Sequence, residues 1–386
     1  MNPIRKFLVN PILDLAKHGK LAGLLLILAT AISLLLSNSE SGQSYLDLWQ
    51  IKIGIAGASH SILFWINDAL MPIFFLLVGI EIKRELLTGE LSKPSQAILP
   101  VIAAIGGVLV PAIIYFIFNR NSPETLHGWA IPTATDIAFS LGILSLMGNR
   151  VPFFLKVFLT ALAIIDDLVA ILIIAFFYSG DLHMRMILYA LVVLLAMIIL
   201  NRLKFRFIFV YLVLGGLLWF FVLQSGIHPT IAGVLIAFSI PVSLAENLEE
   251  KLFQPVYYFI LPLFALANTA IPLSLDLAGN LTSALSMGII LALFIGKPLG
   301  IVLSSFILVK TKISSIPADV NWKMMTGMGL TAGIGFTMSI FLATLSFNTD
   351  LLTHTAKLAI IAGSLLAALG GMLILYLASP SGQKRQ

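Results

Sequence analysis

Charged side chains are scarce in this chain of 386 residues, which has only 23 Lys and Arg and 18 Asp and Glu. They make up 11% of the residues, against about 25% in ordinary soluble domains. Hydrophobic residues make up 59%, against about 45–50%. A water-soluble protein could not cover its surface with so few polar side chains. The composition therefore predicts an all-α, polytopic membrane protein.

The chain also contains no cysteine, which excludes disulfides, iron–sulfur clusters and thiolate metal sites. No connection is long enough for an independent soluble domain, so we expect one integral-membrane domain over residues 1–386. An enzyme with its chemistry outside the bilayer is not expected, and the chain has no P-loop for ATP. Membrane topology explains the net charge of +5 better than nucleic acid does.

Apolar runs of membrane-spanning length predict about twelve transmembrane helices. With the N-terminus placed in the cytoplasm, 18 Lys and Arg fall in inside segments and four in outside loops, which follows the positive-inside rule. The remaining one, Lys297, lies within a span. An even number of spans and cytoplasmic termini follow. The spans lie near residues 12–36, 61–82, 97–118, 126–147, 152–178, 184–203, 206–223, 229–244, 251–270, 282–309, 322–347 and 353–379.

The longest outside connection covers residues 37–60. Within it, Gln50 to Ile55 alternates polar or small residues with Ile, a period of two that suits a strand. A lone exposed hairpin is marginal in water, so pairing with a second copy is a plausible use. The sequence leaves two readings open, an irregular loop and a β-hairpin that contacts the partner of a homodimer.

Two of the twelve spans contain breaks at mid-membrane. Helix 4 contains Ile131-Pro-Thr-Ala-Thr-Asp136, and helix 11 has four glycines between Gly327 and Gly335. Each is the second member of a group of three, helices 3–5 and 10–12, and the offset of seven makes them run in opposite directions. This pattern predicts inverted-topology repeats with two discontinuous helices that cross. The exposed backbone groups at such breaks must lie in protein or line a water-filled cavity.

Charges deep in apolar sequence are candidates for function, because each costs at least about 2.5–3.5 kcal/mol at mid-bilayer. Asp166 and Asp167 have no other charged residue within nine positions on either side. Asp136 lies at the break in helix 4, Lys297 lies in helix 10, and Asp68 lies near the outer end of helix 2. For Asp68, an interfacial carboxylate and a direct role remain equally open.

Adjacent residues on a helix point about 100° apart, so Asp166 and Asp167 do not by themselves form a proton-sharing dyad. Oxygen ligands favour Na⁺, Li⁺, Mg²⁺ or Ca²⁺ over softer metals. Two Asp and one Lys leave one net negative charge, which a monovalent cation neutralises. Because burial raises the pKa of an Asp, the same carboxylates could also carry protons. Competition between a cation and protons at a site open alternately to each side would produce exchange.

At these residues the chain resembles the NhaA-type sodium/proton antiporters. The resemblance runs from about residue 5 to 375. It is carried by these segments: Asn67-Asp-Ala-Leu70, Phe74-Phe-Leu-Leu-Val-Gly-Ile-Glu-Ile-Lys-Arg-Glu85, Ile131-Pro-Thr-Ala-Thr-Asp-Ile-Ala-Phe139, Ala161-Leu-Ala-Ile-Ile-Asp-Asp167, Gly296-Lys-Pro-Leu-Gly300 and Gly333-Ile-Gly-Phe-Thr-Met-Ser-Ile-Phe341.

The resemblance implies roles for individual residues. Asp166 and Asp167 would bind the Na⁺ or Li⁺ ion and protons, and Lys297 would pair with Asp166. Thr135 and Asp136 would lie where the broken helices cross, with Asp68 assisting at the same cavity. A cytoplasmic pH-sensing cluster would contain Glu81, Arg84, Glu85 and Glu250, with His228 affecting the pH response. Family members carry histidines around Glu250-Lys-Leu-Phe-Gln254, and this chain has none there.

The sequence thus predicts an electrogenic secondary antiporter of a prokaryotic inner membrane, without a cofactor. It would export Na⁺ or Li⁺ in exchange for more than one H⁺, under pH regulation, and so serve sodium and pH homeostasis. A cation channel is the first alternative, although a mid-membrane Lys and two interrupted helices favour an alternating site. An intramembrane enzyme is the second, and it predicts turnover of a lipid or peptide and indifference to sodium.

Overall fold

The structure is a computed structural model, which describes residues 3–54, 59–273 and 279–379. These residues are almost entirely helical. The helices are α1 (Pro3–Ser37), α2 (Gly42–Gln50), α3 (Ile62–Leu87), α4 (Pro94–Asn119), α5 (Pro123–Thr133), α6 (Ile137–Leu146), α7 (Phe153–Phe177), α8 (Met184–Arg202), α9 (Ile208–Gln224), α10 (Thr230–Ser239), α11 (Val242–Pro255), α12 (Leu261–Asn268), α13 (Ala284–Lys310), α14 (Trp322–Ala332), α15 (Phe336–Ser346) and α16 (Asp350–Ala378).

Three stretches of π-helix interrupt this pattern, at Trp65–Leu70 in α3, Val256–Ile260 between α11 and α12, and Ala292–Gly296 in α13. Two short strands follow α2, β1 (Lys52–Ile53) and β2 (His60–Ser61), and they pair antiparallel. They lie at the end of the segment 37–60, with Ser61 just beyond it, and residues 55–58 of the segment fall outside the described residues.

Within the described residues, six helices are long and apolar enough to cross a membrane, or nine if each bent helix pair counts as one span. The protein is therefore an all-α membrane protein. Every predicted span coincides with helix, but α9 and α10 are short, with 17 and 10 residues. The count of twelve and the inverted repeat stay predictions.

The chain forms two compact units. Unit 1 comprises Met1–Leu25, Gly89–Ala170 and Leu273–Gln386, and unit 2 comprises Leu26–Thr88 and Ile171–Pro272. Unit 1 therefore holds both predicted groups of three helices, except for the last part of α7 from Ile171 onward, which belongs to unit 2.

In unit 1, α4 packs closely against α13 at a pair of glycines. A Cβ on Gly106 would lie 2.4 Å from the carbonyl oxygen of Gly300, and one on Gly300 would lie 2.1 Å from that of Gly106. No side chain fits at either position, so the two helix backbones pack closely here. This contact holds the start of the α-helical part of α13, where Lys297 lies, against α4.

Both broken spans lie in unit 1. The α5–α6 and α14–α15 pairs each bend by 45° at their breaks, residues 134–136 and 333–335. Pro132 ends the 3₁₀ turn of α5, since it offers no N–H to continue the hydrogen-bond ladder. At the second break the glycine-rich segment ends α14, and Gly333 closes its last turn.

In unit 2, α3 packs against α10 through small residues on both helices. A Cβ on Gly233 would lie 2.1 Å from the carbonyl oxygen of Pro72, and one on Gly79 would lie 2.7 Å from Ala237. A buried apolar cluster that includes Met197, Tyr211 and Leu218 fills the rest of the unit's core.

Candidate functional site

The charged residues predicted for the membrane interior of unit 1 meet at the breaks of the two bent helix pairs. Thr135, Asp136, Asp166, Asp167 and Lys297 are all at most 2% exposed. Asp166 and Asp167 lie on α7, and Lys297 follows the π-helical stretch of α13. Such stretches inside α-helices occur frequently at functional sites.

Asp166 and Lys297 form a buried ion pair. The Nζ of Lys297 lies 2.6 Å from Oδ2 of Asp166 and also donates to the carbonyl oxygen of Thr133. Within the described residues, Oδ1 of Asp166 has no hydrogen-bond partner. One carboxylate oxygen is therefore held by the lysine, while the other remains open for a ligand.

Thr135 connects this ion pair to the second broken span. Its hydroxyl oxygen lies 2.7 Å from Oδ2 of Asp166 and 2.8 Å from the carbonyl oxygen of Ala332, the last residue of α14. A hydroxyl group has a single proton, so Thr135 donates to one of these oxygens at a time. A change in the charge of Asp166 would therefore change which oxygen Thr135 bonds.

Asp136 satisfies the N-termini of two helices at once. Its Oδ1 accepts a hydrogen bond from the Phe139 N–H of α6 at 2.9 Å, and its Oδ2 accepts from the Thr337 N–H of α15 at 3.1 Å. The Thr337 hydroxyl donates to Oδ2 as well. The positive ends of two helix dipoles therefore meet at one carboxylate. In return, Asp136 N–H donates to the Ile334 carbonyl at 2.7 Å.

Charges at the crossing thus match the polarity of the broken helices. The negative Asp136 lies at the N-termini of α6 and α15, and the positive Lys297 contacts the C-terminal carbonyl of α5 at Thr133. This arrangement satisfies backbone groups that the breaks leave without helical partners.

Asp68 and His228 form a contact in unit 2, although the sequence reasoning assigned them to different groups. Nε2 of His228 lies 3.4 Å from Oδ1 of Asp68, and Nδ1 lies 2.9 Å from the Thr230 hydroxyl. Asp68 lies within the π-helical stretch of α3, and its backbone carbonyl accepts a 2.6 Å hydrogen bond from Trp219 Nε1.

The residues predicted to form the pH-sensing cluster also lie in unit 2, where Arg84 contacts Glu249 rather than Glu250. Arg84 forms a salt bridge with Glu249 of α11, and its guanidinium lies 3.5 Å from Glu85. Glu81, one turn before Glu85 on α3, is buried. Glu250 is exposed on another side of α11. Burial raises the pKa of the Glu249 carboxyl, against which Arg84 acts in the opposite direction.

Sequence reasoning missed Glu249, and it also missed the environment of Lys83. Nζ of Lys83 lies 3.1 Å from the carbonyl oxygens of Ala237 and Phe238 and also donates to that of Ile240. These are carbonyls at the C-terminus of α10, so the ammonium group caps that helix. Nothing within the run Glu81-Ile-Lys-Arg-Glu85 indicates this contact, which depends on the position of α10.

Within the described residues, no group of three or more His, Cys, Asp or Glu side chains could hold a metal ion. The candidate site offers instead two adjacent carboxylates, a lysine and a threonine at the crossing of interrupted helices. This combination is typical of ion-coupled secondary transporters.

Sequence comparison identifies the family. The model of the Na⁺/H⁺ antiporter 1 family matches residues 14–375, and the chain belongs to that family. It is 48% identical to Na(+)/H(+) antiporter NhaA 2 of Flavobacterium johnsoniae, over 92% of this chain and 89% of the relative. It is 49% identical to NhaA of Flavobacterium psychrophilum, over 91% and 92%, and 47% identical to NhaA of Shewanella amazonensis, over 94% and 96%. The expected resemblance is confirmed.

Proposed function

We propose that this chain is an electrogenic antiporter of a prokaryotic inner membrane that exports Na⁺ or Li⁺ in exchange for more than one H⁺. The buried Asp166–Lys297 pair next to Asp167 carries the proposal. Membership of the family and the names of the relatives support Na⁺/H⁺ exchange. The distribution of Lys and Arg supports cytoplasmic termini.

The exchange follows from competition at two carboxylates. Asp166 and Asp167 bind the cation when they are ionised, and they release it when they take up protons. Lys297 compensates one of the two negative charges, so a monovalent cation neutralises the remainder. If two protons replace one monovalent cation, each cycle moves net charge across the membrane. A membrane potential would then drive the cycle.

Thr135 and Asp136 position the site in this mechanism. Asp136 holds the N-termini of α6 and α15 together. The Thr135 hydroxyl couples a change in the charge of Asp166 to the C-terminus of α14, because it can bond either one. The resemblance also assigns an assisting role to Asp68, which contacts His228. No ATP, cofactor or catalytic residue takes part.

The test is proton-driven ²²Na⁺ flux in sealed vesicles. We expect saturable flux that reverses with the pH gradient, that is lost in Asp167→Asn and that persists in Asp319→Asn, an exposed loop carboxylate of unit 1. An imposed potassium diffusion potential should accelerate exchange if more than one proton moves per ion. Conductance without a proton gradient would favour a channel, and exchange by Asp167→Asn would overturn the site.

We further propose that the cluster of Arg84, Glu81, Glu85 and Glu249 regulates exchange by pH, with Glu250 at its edge and His228 contributing separately. Because burial raises the pKa of Glu249, its ionisation at rising pH places a buried charge beside Arg84 and would loosen the contact between α3 and α11. Glu249→Gln should therefore shift the rise of exchange activity with pH, whereas Glu250→Gln serves as the neighbouring control. Equal pH profiles for both variants and the wild type would contradict the assignment.

The segment 37–60 is proposed as a contact between the copies of a homodimer. Its strands β1 and β2 are only two residues each, and such a ladder gains from further strands. Replacing residues 51–61 with a glycine–serine linker should yield monomers in size-exclusion chromatography with light scattering. An unchanged dimer would place the interface elsewhere.

A further inference from the structure

A cavity of about 780 Å³ lies in unit 1 where α4 and α7 begin and where the chain leaves α13. Its size is within the range of about 300–1,000 Å³ typical of small-molecule sites. None of the residues of the ion-binding site lines it. The transport chemistry described above therefore leaves this cavity unexplained.

The cavity extends from the ends of the helices into the depth of the membrane. Ser95 and Phe153 lie in the first turns of α4 and α7, and Pro100 and Ala161 line the same cavity further along these helices. Phe153 and Ala161 are eight residues apart, which corresponds to about 12 Å along a helix. Because α4 and α7 have membrane-spanning length, the opening lies at headgroup level and the interior at hydrocarbon level.

The lining changes in chemistry along this depth. The interior is apolar and aromatic, with Phe154, Phe158 and Leu99, and Phe158 is 3% exposed. The opening is polar, with Gln96, Ser314 and the exposed Lys312. Lys93 immediately precedes α4, whose N-terminus adds a positive dipole end.

No carboxylate occurs among the described residues that line the cavity. A positive opening and an aromatic interior disfavour entry of a cation. They suit a molecule with an anionic head and a hydrocarbon tail.

We propose that this cavity binds one anionic phospholipid of the surrounding membrane. The phosphate contacts Lys312 and the first turn of α4, and one acyl chain extends between the phenylalanines of α7. Ala161 precedes Asp166 by five residues on α7, so the bound lipid packs against the helix that carries the proposed ion ligands. The proposal depends on the cavity alone and holds whatever ion the protein transports.

The test uses the purified, delipidated full-length protein in detergent. Phosphatidylglycerol and phosphatidylcholine with identical acyl chains are titrated separately, and retained lipid is counted by native mass spectrometry. We expect one phosphatidylglycerol to be retained in preference to phosphatidylcholine. Lys312→Gln should weaken retention of phosphatidylglycerol about fivefold, because an ammonium near an anionic lipid surface contributes about that factor.

Lys310→Gln is the matched control, since Lys310 lies over the Phe306 ring, 5.9 Å from its centroid, and does not line the cavity. This variant should retain phosphatidylglycerol like the wild type. Equal losses in Lys310→Gln and Lys312→Gln, or equal retention of both lipids by the wild type, would overturn the proposal.

Two further arms test the acyl chain. Val157→Trp fills the apolar interior and should reduce retention of both lipids. If that variant does not fold, Ser314→Trp, which fills the opening, is used instead. Inorganic phosphate at the concentration of the lipid should not displace phosphatidylglycerol. Displacement by phosphate alone, or full retention by the folded tryptophan variant, would contradict a phospholipid site.

Discussion

The ammonium of Lys297 lies 2.6 Å from Oδ2 of Asp166, and both side chains are fully buried. Each partner compensates the charge of the other in a position without solvent exposure. Removing one charge of such a pair costs about 3–5 kcal/mol, whereas replacing both is often neutral. The pair is thus a structural element of unit 1 as well as part of the proposed site.

Lys297→Met should therefore lower the melting temperature of the purified protein, through a loss of about 3–5 kcal/mol at fixed pH. The double variant Asp166→Asn, Lys297→Met should recover most of this loss, because no uncompensated charge remains. Thermal unfolding in detergent measures both. A double variant as unstable as the sum of the single variants would show that the two residues act independently.

Asp136→Ala should destabilise the helix crossing more than Thr337→Val does. The alanine removes the cap of both α6 and α15, at about 0.5–2 kcal/mol for each cap. Thr337→Val removes only the hydrogen bond from the Thr337 hydroxyl, which costs about 1 kcal/mol, and leaves the hydrogen bond from the Thr337 backbone N–H. Chemical unfolding of the two variants should show this order, and equal losses would mean that Asp136 caps only one helix.

Lys83→Met should loosen the end of α10 without changing α3. It leaves the carbonyls of Ala237, Phe238 and Ile240 without their charged donor, which costs about 1–3 kcal/mol. Hydrogen exchange should accelerate in the amides around residues 237–245. The exposed Lys251→Met is the control, and unchanged exchange in Lys83→Met would contradict the capping role.

Glu249 should make the stability of the protein depend on pH. Folding raises the pKa of this carboxyl above its ordinary value of 4.5, so the folded state holds its proton more tightly than the unfolded state. The stabilising contribution is present below pH 4.5 and is lost as the pH rises through the folded pKa. Glu249→Gln should flatten the dependence of melting temperature on pH in that window. The exposed Glu250→Gln should keep the wild-type slope, and an identical slope in both variants would exclude Glu249 as its source.

Sequence reasoning anticipated the helical class from composition and apolar runs, and the resemblance to the antiporter family implied the pair Asp166 and Lys297. It also located both helix breaks, since proline and clustered glycines weaken a helix wherever they occur. It could not identify Glu249, because two adjacent glutamates have the same composition around them and differ only in which side of α11 meets Arg84. The contact between Asp68 and His228, 160 positions apart, left no local signal either.

The sequence by itself determined that this chain lies in a membrane. It also determined which few charges the membrane topology does not explain, because the cost of burying a charge depends on the residue type and on the length of the apolar run. The tertiary structure decided what those charges do. Asp136 joins two helix ends, and Lys83 caps a third helix from an 8% exposed position. These roles depend on the direction of a side chain toward another segment, and only folding sets that direction.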